Sequence, residues 1–248
     1  MKRALVSALA WLTVLSACGP SRADRPTLFA AASLREAIEE LCRLYEREGH
    51  PRPRLNVAAS NLLARQILAG ARADLFFSAD EVQVDRLEHA GRVSRRCSLL
   101  SNRLAVIRPE GDTQPPLRDR LELLAIGRMA LANDDVPAGR YARQWMLAGG
   151  SGDEWANRVV PAVSVRGVLA AVESGAVPAG VVYATDARIA DRIDVAFIVE
   201  DELALDISYS LASMRGANAH GEELFEFLSG PRAAEVFRRH GFLWRGEQ

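Results

Sequence analysis

Two serines stand where short apolar stretches run into helical periodicity: Ser33 in FAAASLREA (29–37) and Ser60 in VAASNLLAR (57–65). Small alanines precede each serine, so a ligand could approach the backbone closely. The hydroxyl and the first N–H groups of the following helix, which have no intrahelical acceptor, are then free to donate. With the positive end of the helix dipole behind them, the chemistry on offer is anion binding. The same residues also serve structure. Serine is a favoured N-cap, and Ser33 followed by Glu36 spells a capping box, whereas the third neighbour of Ser60 is Leu63. For either serine alone, capping and ligand binding are both open.

The later half of the chain offers the same groups. In NDDVPAGRYA (133–142), Pro137 suits a first helical turn, and Ala138 and Gly139 leave their amides uncovered. In SVRGVLAAVESG (164–175), Ser164 can cap while Val165 and Arg166 contribute free amides. Tyr183, in the stretch GVVYA (180–184), is either a core residue or a phenolic donor. Arg166 either adds charge to such a site or is a solvated helix residue.

These segments need strands and helices to carry them. From residue 27 onward, short apolar runs alternate with helical patterns, which predicts an α/β protein with largely parallel strands. Strands are predicted at 27–31, 55–59, 73–79, 101–109, 129–133, 180–184, 195–199 and 206–213. The first helix shows Leu34, Ala37, Ile38, Leu41, Leu44 and Tyr45 on one face, and Gly49 and Pro51 stop it. Further helices are predicted after 60, after 80, at 139–148 ending at Gly149-Gly150, at 166–174, at 221–228 and at 232–239.

The 248 residues, 49% of them hydrophobic, can bury a sizeable core, and a net charge of -1 from mixed acids and bases gives no basic face for nucleic acid. Lys2 and Arg3 before the apolar run Ala4 to Leu15 form an export signal, too short to span a bilayer. LSAC (15–18) resembles a bacterial lipobox with Cys18 as the lipidated residue; an ordinary cleaved signal is the alternative. Both place the mature chain, of charge about -3, outside the cytoplasm. Lys2 is the only lysine, which excludes a Walker phosphate loop and lysine chemistry. An oxidising compartment permits a Cys42–Cys97 disulfide, for which spacing supplies no geometry. His50, His89, His220 and His240 show no ligand spacing, and no G-x-S-x-G is present, so neither a metal site nor a serine hydrolase is expected.

Taken in order, FAAASL, ASNLLARQILAG-ARADLFFSAD, DVPAGRYA, VRGVLAAVESGAVPAGVVYATDA and GPRAAEVFRRHGF resemble the periplasmic molybdate-binding proteins of ABC importers, across residues 27 to 242. The resemblance implies a two-lobed periplasmic-binding-protein type II fold. Each lobe would be a mostly parallel sheet flanked by helices, with the ligand cleft between them. It implies lobe 1 at 27–103 and 206–248 and lobe 2 at 104–205, after a signal peptide at 1–17 and a lipidated linker at 18–26. It also implies Ser33, Ser60, Ala138, Val165 and Tyr183 as oxyanion ligands. The chain departs from the family pattern at Asn61-Leu62, where many relatives have Ser or Thr, and at Tyr209-Ser210, where Tyr-Pro is common.

Molybdate and sulfate are dianions with no proton to give, so a matching site contains donors only, and none of the five positions is acidic. A phosphate site can use a carboxylate for the ligand's proton, and Asp134 and Asp135 keep that option near. The preference for molybdate and tungstate over smaller sulfate comes from the resemblance. The expectation is a monomeric, exported solute-binding protein. It would not be an enzyme and would use no cofactor or protein-ligated metal, and it would pass molybdate to a membrane permease. The alternative is a binder or sensor of sulfate or phosphate uncoupled from import.

Overall fold

The computed structural model describes residues 25–148, 155–199 and 205–246. The export signal, Cys18 and Gly149-Gly150 lie outside them. β1 (Thr27–Ala31) leads through a single 3₁₀ turn (Ala32–Leu34) into α1 (Arg35–Arg47). β2 (Arg54–Ala58), α2 (Ser60–Leu68), β3 (Leu75–Ser78) and α3 (Glu81–His89) repeat the strand-helix alternation. Gly70 (φ +99°) and Gly91 (φ +67°) close α2 and α3 in the left-handed conformation that side chains resist. β4 (Val93–Ser101) then runs up to Asn102, where the chain passes into β5 (Leu104–Pro109).

A second unit follows: α4 (Arg120–Ala125), β6 (Met129–Ala132), α5 (Pro137–Ala148), β7 (Val159–Ala162), α6 (Val165–Glu173), β8 (Gly180–Tyr183), α7 (Ala184–Ala187) and β9 (Ile193–Ile198). The chain returns through β10 (Tyr209–Met214) and closes with α8 (Ala219–Ser229), α9 (Pro231–Arg239) and β11 (Leu243–Trp244). One sheet has the order β11-β4-β10-β3-β1-β2 and the other β7-β6-β8-β5-β9; each sheet with its helices is one lobe.

Parallel pairing is confined to β2-β1-β3 in the first sheet and β7-β6-β8 in the second. β10, β4 and β11 in the first, and β5 and β9 in the second, pair antiparallel. The sheets are therefore mixed rather than mostly parallel. Antiparallel strands enter where the chain crosses between lobes and comes back, whereas the parallel triplets are built by strand-helix-strand crossovers.

Beneath the first sheet, Phe77 and Phe242 both meet the Phe237 ring edge-on, with centroids 5.7 and 5.9 Å away, and Trp244 stacks on it at 6.2 Å. Cys42, on the buried stripe of α1, and Cys97, on β4, are both free thiols, so the disulfide that an oxidising compartment permits is not formed. Burial pushes the Cys42 thiol up to about 12 and that of Cys97 up to about 11, which keeps both unreactive. Because Phe237 is fully buried among three aromatic rings, Phe237→Ala should cost about 3–5 kcal/mol, read as a lower urea midpoint.

Candidate functional site

The carboxyl ends of the parallel strands in both sheets face one another across a small, tightly lined cavity. Ser33, Ser60, Ala138, Val165 and Tyr183 all line it. Ala31, Ala32, Ala59 and Ala79 fill the gaps between them, so the wall is backbone with little side chain in front of it. Among the described residues no charged side chain lines the cavity.

Four helical starts deliver the donors. Ser33 lies inside the 3₁₀ turn, whose N-cap is Ala31, and α1 begins with no side-chain cap at Leu34. The capping box suggested by Ser33 and Glu36 is thus not formed, because Glu36 is drawn away to Arg166 and the extra turn moves Ser33 off the cap position. The Ser33 hydroxyl instead meets the Tyr209 hydroxyl at 3.1 Å. Ser60 is likewise the first residue of α2 rather than its cap, which is Ala59. Its oxygen accepts from the Ala79 N–H at 3.0 Å, which occupies a lone pair and leaves the O–H to donate into the cavity.

In the second lobe, Ser164 caps α6 by accepting from the Gly167 N–H at 3.1 Å, and Val165 and Arg166 keep the uncapped first-turn amides. At the start of α5, a Cβ on Gly139 would fall 2.1 Å from the Asn133 carbonyl oxygen and 2.3 Å from that of Ala132. Glycine there lets the helix start sit directly on the end of β6, which brings the neighbouring Ala138 to the cavity. The Tyr183 hydroxyl is buried and has no hydrogen-bond partner among the described residues. Burial raises its pKa well above the usual value, so the phenol keeps its proton as a donor waiting for an acceptor.

Residues 26–243 match the model for bacterial extracellular solute-binding proteins. The chain belongs to that family. It is 36% identical over 225 residues to the molybdate-binding protein ModA of Escherichia coli K12, covering 87% of this chain and 88% of that protein. It is 33% identical over 223 residues to YvgL of Bacillus subtilis, named as a putative ABC transporter substrate-binding lipoprotein, covering 87% and 85%. The periplasmic molybdate-binding protein of Azotobacter vinelandii superposes with a TM-score of 0.74 over 88% of this chain and 99% of that one, at 21% identity, and shows the same fold.

Polar clamps close this solute-binding protein over the cavity. Arg166 of α6 donates to Glu36 of α1 at 2.6 Å, with its Nε 2.8 Å from Asp186. Asn61 and Arg65 of α2 both donate to Asp135, at 2.6 and 2.9 Å, and Arg140 of α5 pairs with Asp80, the N-cap of α3. Each of the first three helices of one lobe is therefore tied to the other lobe. Arg166 is partly exposed and does not line the cavity; Glu36 and Asp186 hold its guanidinium. Burial works against the Asp135 charge, but the hydrogen bonds from Asn61 and Arg65 hold its pKa below the usual value. Its carboxylate is thus spent on closure.

Sequence reasoning did not find Asp80, Arg140, Asp186, Asn102 or Tyr141, whose hydroxyl accepts from the Ser208 N–H at 3.3 Å. The nearest signal was the N-cap pattern at Asp80. A larger cavity, lined by Arg54, Arg72, Arg92 and Arg215, opens at the opposite end of the first sheet, beside Thr27 at the start of β1, far from the helix starts. None of the four histidines lines the cavity between the lobes; His50 stacks on Tyr45 at 4.2 Å and His240 meets Glu40 at 2.8 Å.

Two predictions follow from burial. Tyr183→Phe removes an unpaired buried hydroxyl, so the ligand-free protein should melt at the same temperature or higher, with a gain of up to about 1 kcal/mol. Burial lifts the fully enclosed Asp186 from 3.8 to about 7, with Arg166 pulling the other way. The folded state therefore holds this proton more tightly than the unfolded chain, and the resulting stability is complete below the unfolded pKa and lost as pH rises through the folded one. The stability of the parent minus that of Asp186→Asn should fall between about pH 4 and pH 7 and stay level above, as read by urea unfolding across pH.

Proposed function

We propose that this chain captures molybdate, and tungstate of nearly the same size, outside the cytoplasm and delivers it to an ABC importer in the membrane. The observation that carries the reading is the donor-only cavity: hydroxyls of Ser33, Ser60 and Tyr183 with the helix-start amides at Ala138 and Val165, and, among the described residues, no carboxylate to receive a proton. Relatives named as molybdate-binding proteins support the choice of anion.

The mechanism needs no counter-cation. In the open cleft the dianion is hydrated, and as the lobes approach, water is replaced by N–H and O–H donors already oriented by helix starts. Each charge-assisted hydrogen bond contributes about 1.5–3 kcal/mol, and the low dielectric of the closed cavity strengthens the helix dipoles behind the amides. The Glu36–Arg166, Asp135–Arg65 and Asp80–Arg140 pairs lie around the cavity and hold the closed form, which is the shape presented to the permease. Neither serine acts as a nucleophile in this reading, since no histidine lines the cavity to serve as its base.

The same reading assigns residues 1–17 to an export signal, Cys18 to a lipid anchor and 18–26 to a tether. It places lobe 1 at 27–103 and 206–248, lobe 2 at 104–205, and takes the working form as a monomer. The lipoprotein named among the relatives supports the anchor.

Calorimetry of the mature chain with molybdate, tungstate, sulfate and phosphate tests the function. Molybdate and tungstate should bind tightly, phosphate weakly, and Ser60→Ala should weaken molybdate by roughly 10- to 150-fold. Phosphate or sulfate binding as tight as molybdate would overturn the assignment.

A further inference from the structure

We propose that Asn102 and Tyr209, neither of which lines the cavity, are positioning residues that lock the Ser33 hydroxyl as a donor to the ligand and so favour oxyanions that carry no proton. The inference rests on the reading of the cavity as an oxyanion site. By distance alone, either hydroxyl could be the donor in the Ser33–Tyr209 contact. The surroundings decide between them.

The Asn102 side-chain oxygen accepts from the Arg103 backbone N–H at 2.9 Å. A backbone N–H can only donate, so it fixes which way round the Asn102 amide lies and turns the NH₂ group the other way. That NH₂ donates to Thr185 Oγ1 at 2.8 Å and to the Tyr209 hydroxyl at 3.2 Å. The Tyr209 oxygen is thereby an acceptor from Asn102, and Ser33 is the other partner in hydrogen-bond range among the described residues, so the arrangement that leaves no buried Tyr209 hydrogen unpaired sends it to Ser33. Burial drives the Tyr209 pKa far above the usual value, so that hydrogen is present at any working pH. Ser33 in turn accepts from Tyr209, and its own hydrogen is left for the cavity it lines.

Donation therefore runs one way, from Asn102 to Tyr209 to Ser33 to ligand, and such chains polarise each successive member. Ser60, filled from behind by the Ala79 N–H, is set in the same sense. Near neutral pH, molybdate has no proton, while inorganic phosphate retains one that must find an acceptor. With one lone pair of Ser33 filled by the Tyr209 hydrogen and its own hydrogen facing the ligand, a protonated ligand oxygen meets a donor there rather than an open acceptor. The discrimination is built two residues behind the wall, at the point where the chain crosses from β4 to β5.

The test reverses the chain and reads selectivity. In Asn102→Asp a carboxylate replaces the donor, Tyr209 donates to it, and Ser33 becomes free to donate to Tyr209 and accept from the ligand. Asn102→Leu removes the donor without adding charge. Affinities for molybdate, and for inorganic phosphate by its displacement of molybdate, are measured for the mature chain carrying each variant, with and without Tyr209→Phe, and for Ser33→Ala. The molybdate-over-phosphate ratio should fall about 10-fold or more in Asn102→Asp, and by a smaller factor in Asn102→Leu. In the Tyr209→Phe background neither Asn102 change should move the ratio, because the link to Ser33 is gone. Measured above the second pKa of phosphate, where both ligands are dianions, the added charge acts alike on them and cancels in the ratio, and a merely structural role for Asn102 would lower both affinities in both backgrounds. If Ser33→Ala weakens molybdate but the ratio is unmoved by Asn102→Leu and Asn102→Asp, the chain of donation is wrong and the oxyanion site stands. If Ser33→Ala leaves molybdate binding intact, the reading of the site at Ser33 fails, and this inference with it. Should Asn102→Asp not fold, Asn102→Leu with and without Tyr209→Phe decides the matter alone.

Discussion

The proposed ligand is a dianion, to be held in a closed space whose wall, among the described residues, holds no cation, and the rest of the structure depends on how that is done. Neutral donors have to replace its hydration, and each must lack a better partner of its own. First-turn amides meet that condition by the geometry of the helix, which leaves them without intrahelical acceptors. The fold multiplies them: parallel strands end at one edge of each sheet, each runs into a helix, and the two edges face each other. The antiparallel strands contribute nothing to the wall, but they carry the chain between lobes and bring Tyr209 beneath Ser33.

Small residues matter here for what they do not cover. The alanines at 31, 32, 59 and 79 keep the wall close to bare backbone, and Gly139 is compelled by carbonyl oxygens that a Cβ would strike. Charge is present nearby but is used elsewhere. Arg166, Arg65 and Arg140 are each held by a carboxylate, in pairs that bridge the lobes, so they add closure rather than attraction. That separation lets the cavity remain a donor-only surface while the rim is polar and the two lobes are held shut.

The parts legible in the sequence were the local ones. Ser33, Ser60, Ala138, Val165 and Tyr183 each sit at a strand-helix junction, where residue type and spacing within about ten positions carry the signal, and all five reach the cavity. Strands that depend on tertiary pairing were missed. β4 reads VSRRCSLLS, with Arg95 and Arg96 facing solvent, and becomes a strand because β10 and β11 pair with it on either side. β7 holds Pro161 at an edge, and β11 has only two residues. The capping box failed for a related reason: Glu36 had a stronger partner in Arg166, 130 residues away, which no local pattern could announce.

The two places where the chain departs from its family's pattern now have physical content. Asn61, standing where the resemblance leads one to expect Ser or Thr, reaches across the cleft to Asp135 and joins Arg65 in tying α2 to the opposite lobe. Tyr209 pairs with Leu100 of β4, and Ser210, which stands after it where the resemblance leads one to expect proline, pairs with both β3 and β4 and donates to Glu81 at 2.5 Å, anchoring the strand to the first turn of α3. A proline at that position would lack the backbone N–H and the hydroxyl. Because the Tyr209 hydroxyl must stay within hydrogen-bond reach of both Ser33 and Asn102, the rigidity of this strand is part of what aims the ligand donor. Closure strength and donor orientation are thus set outside the five residues that line the wall, so such a wall can be kept while both are adjusted behind it.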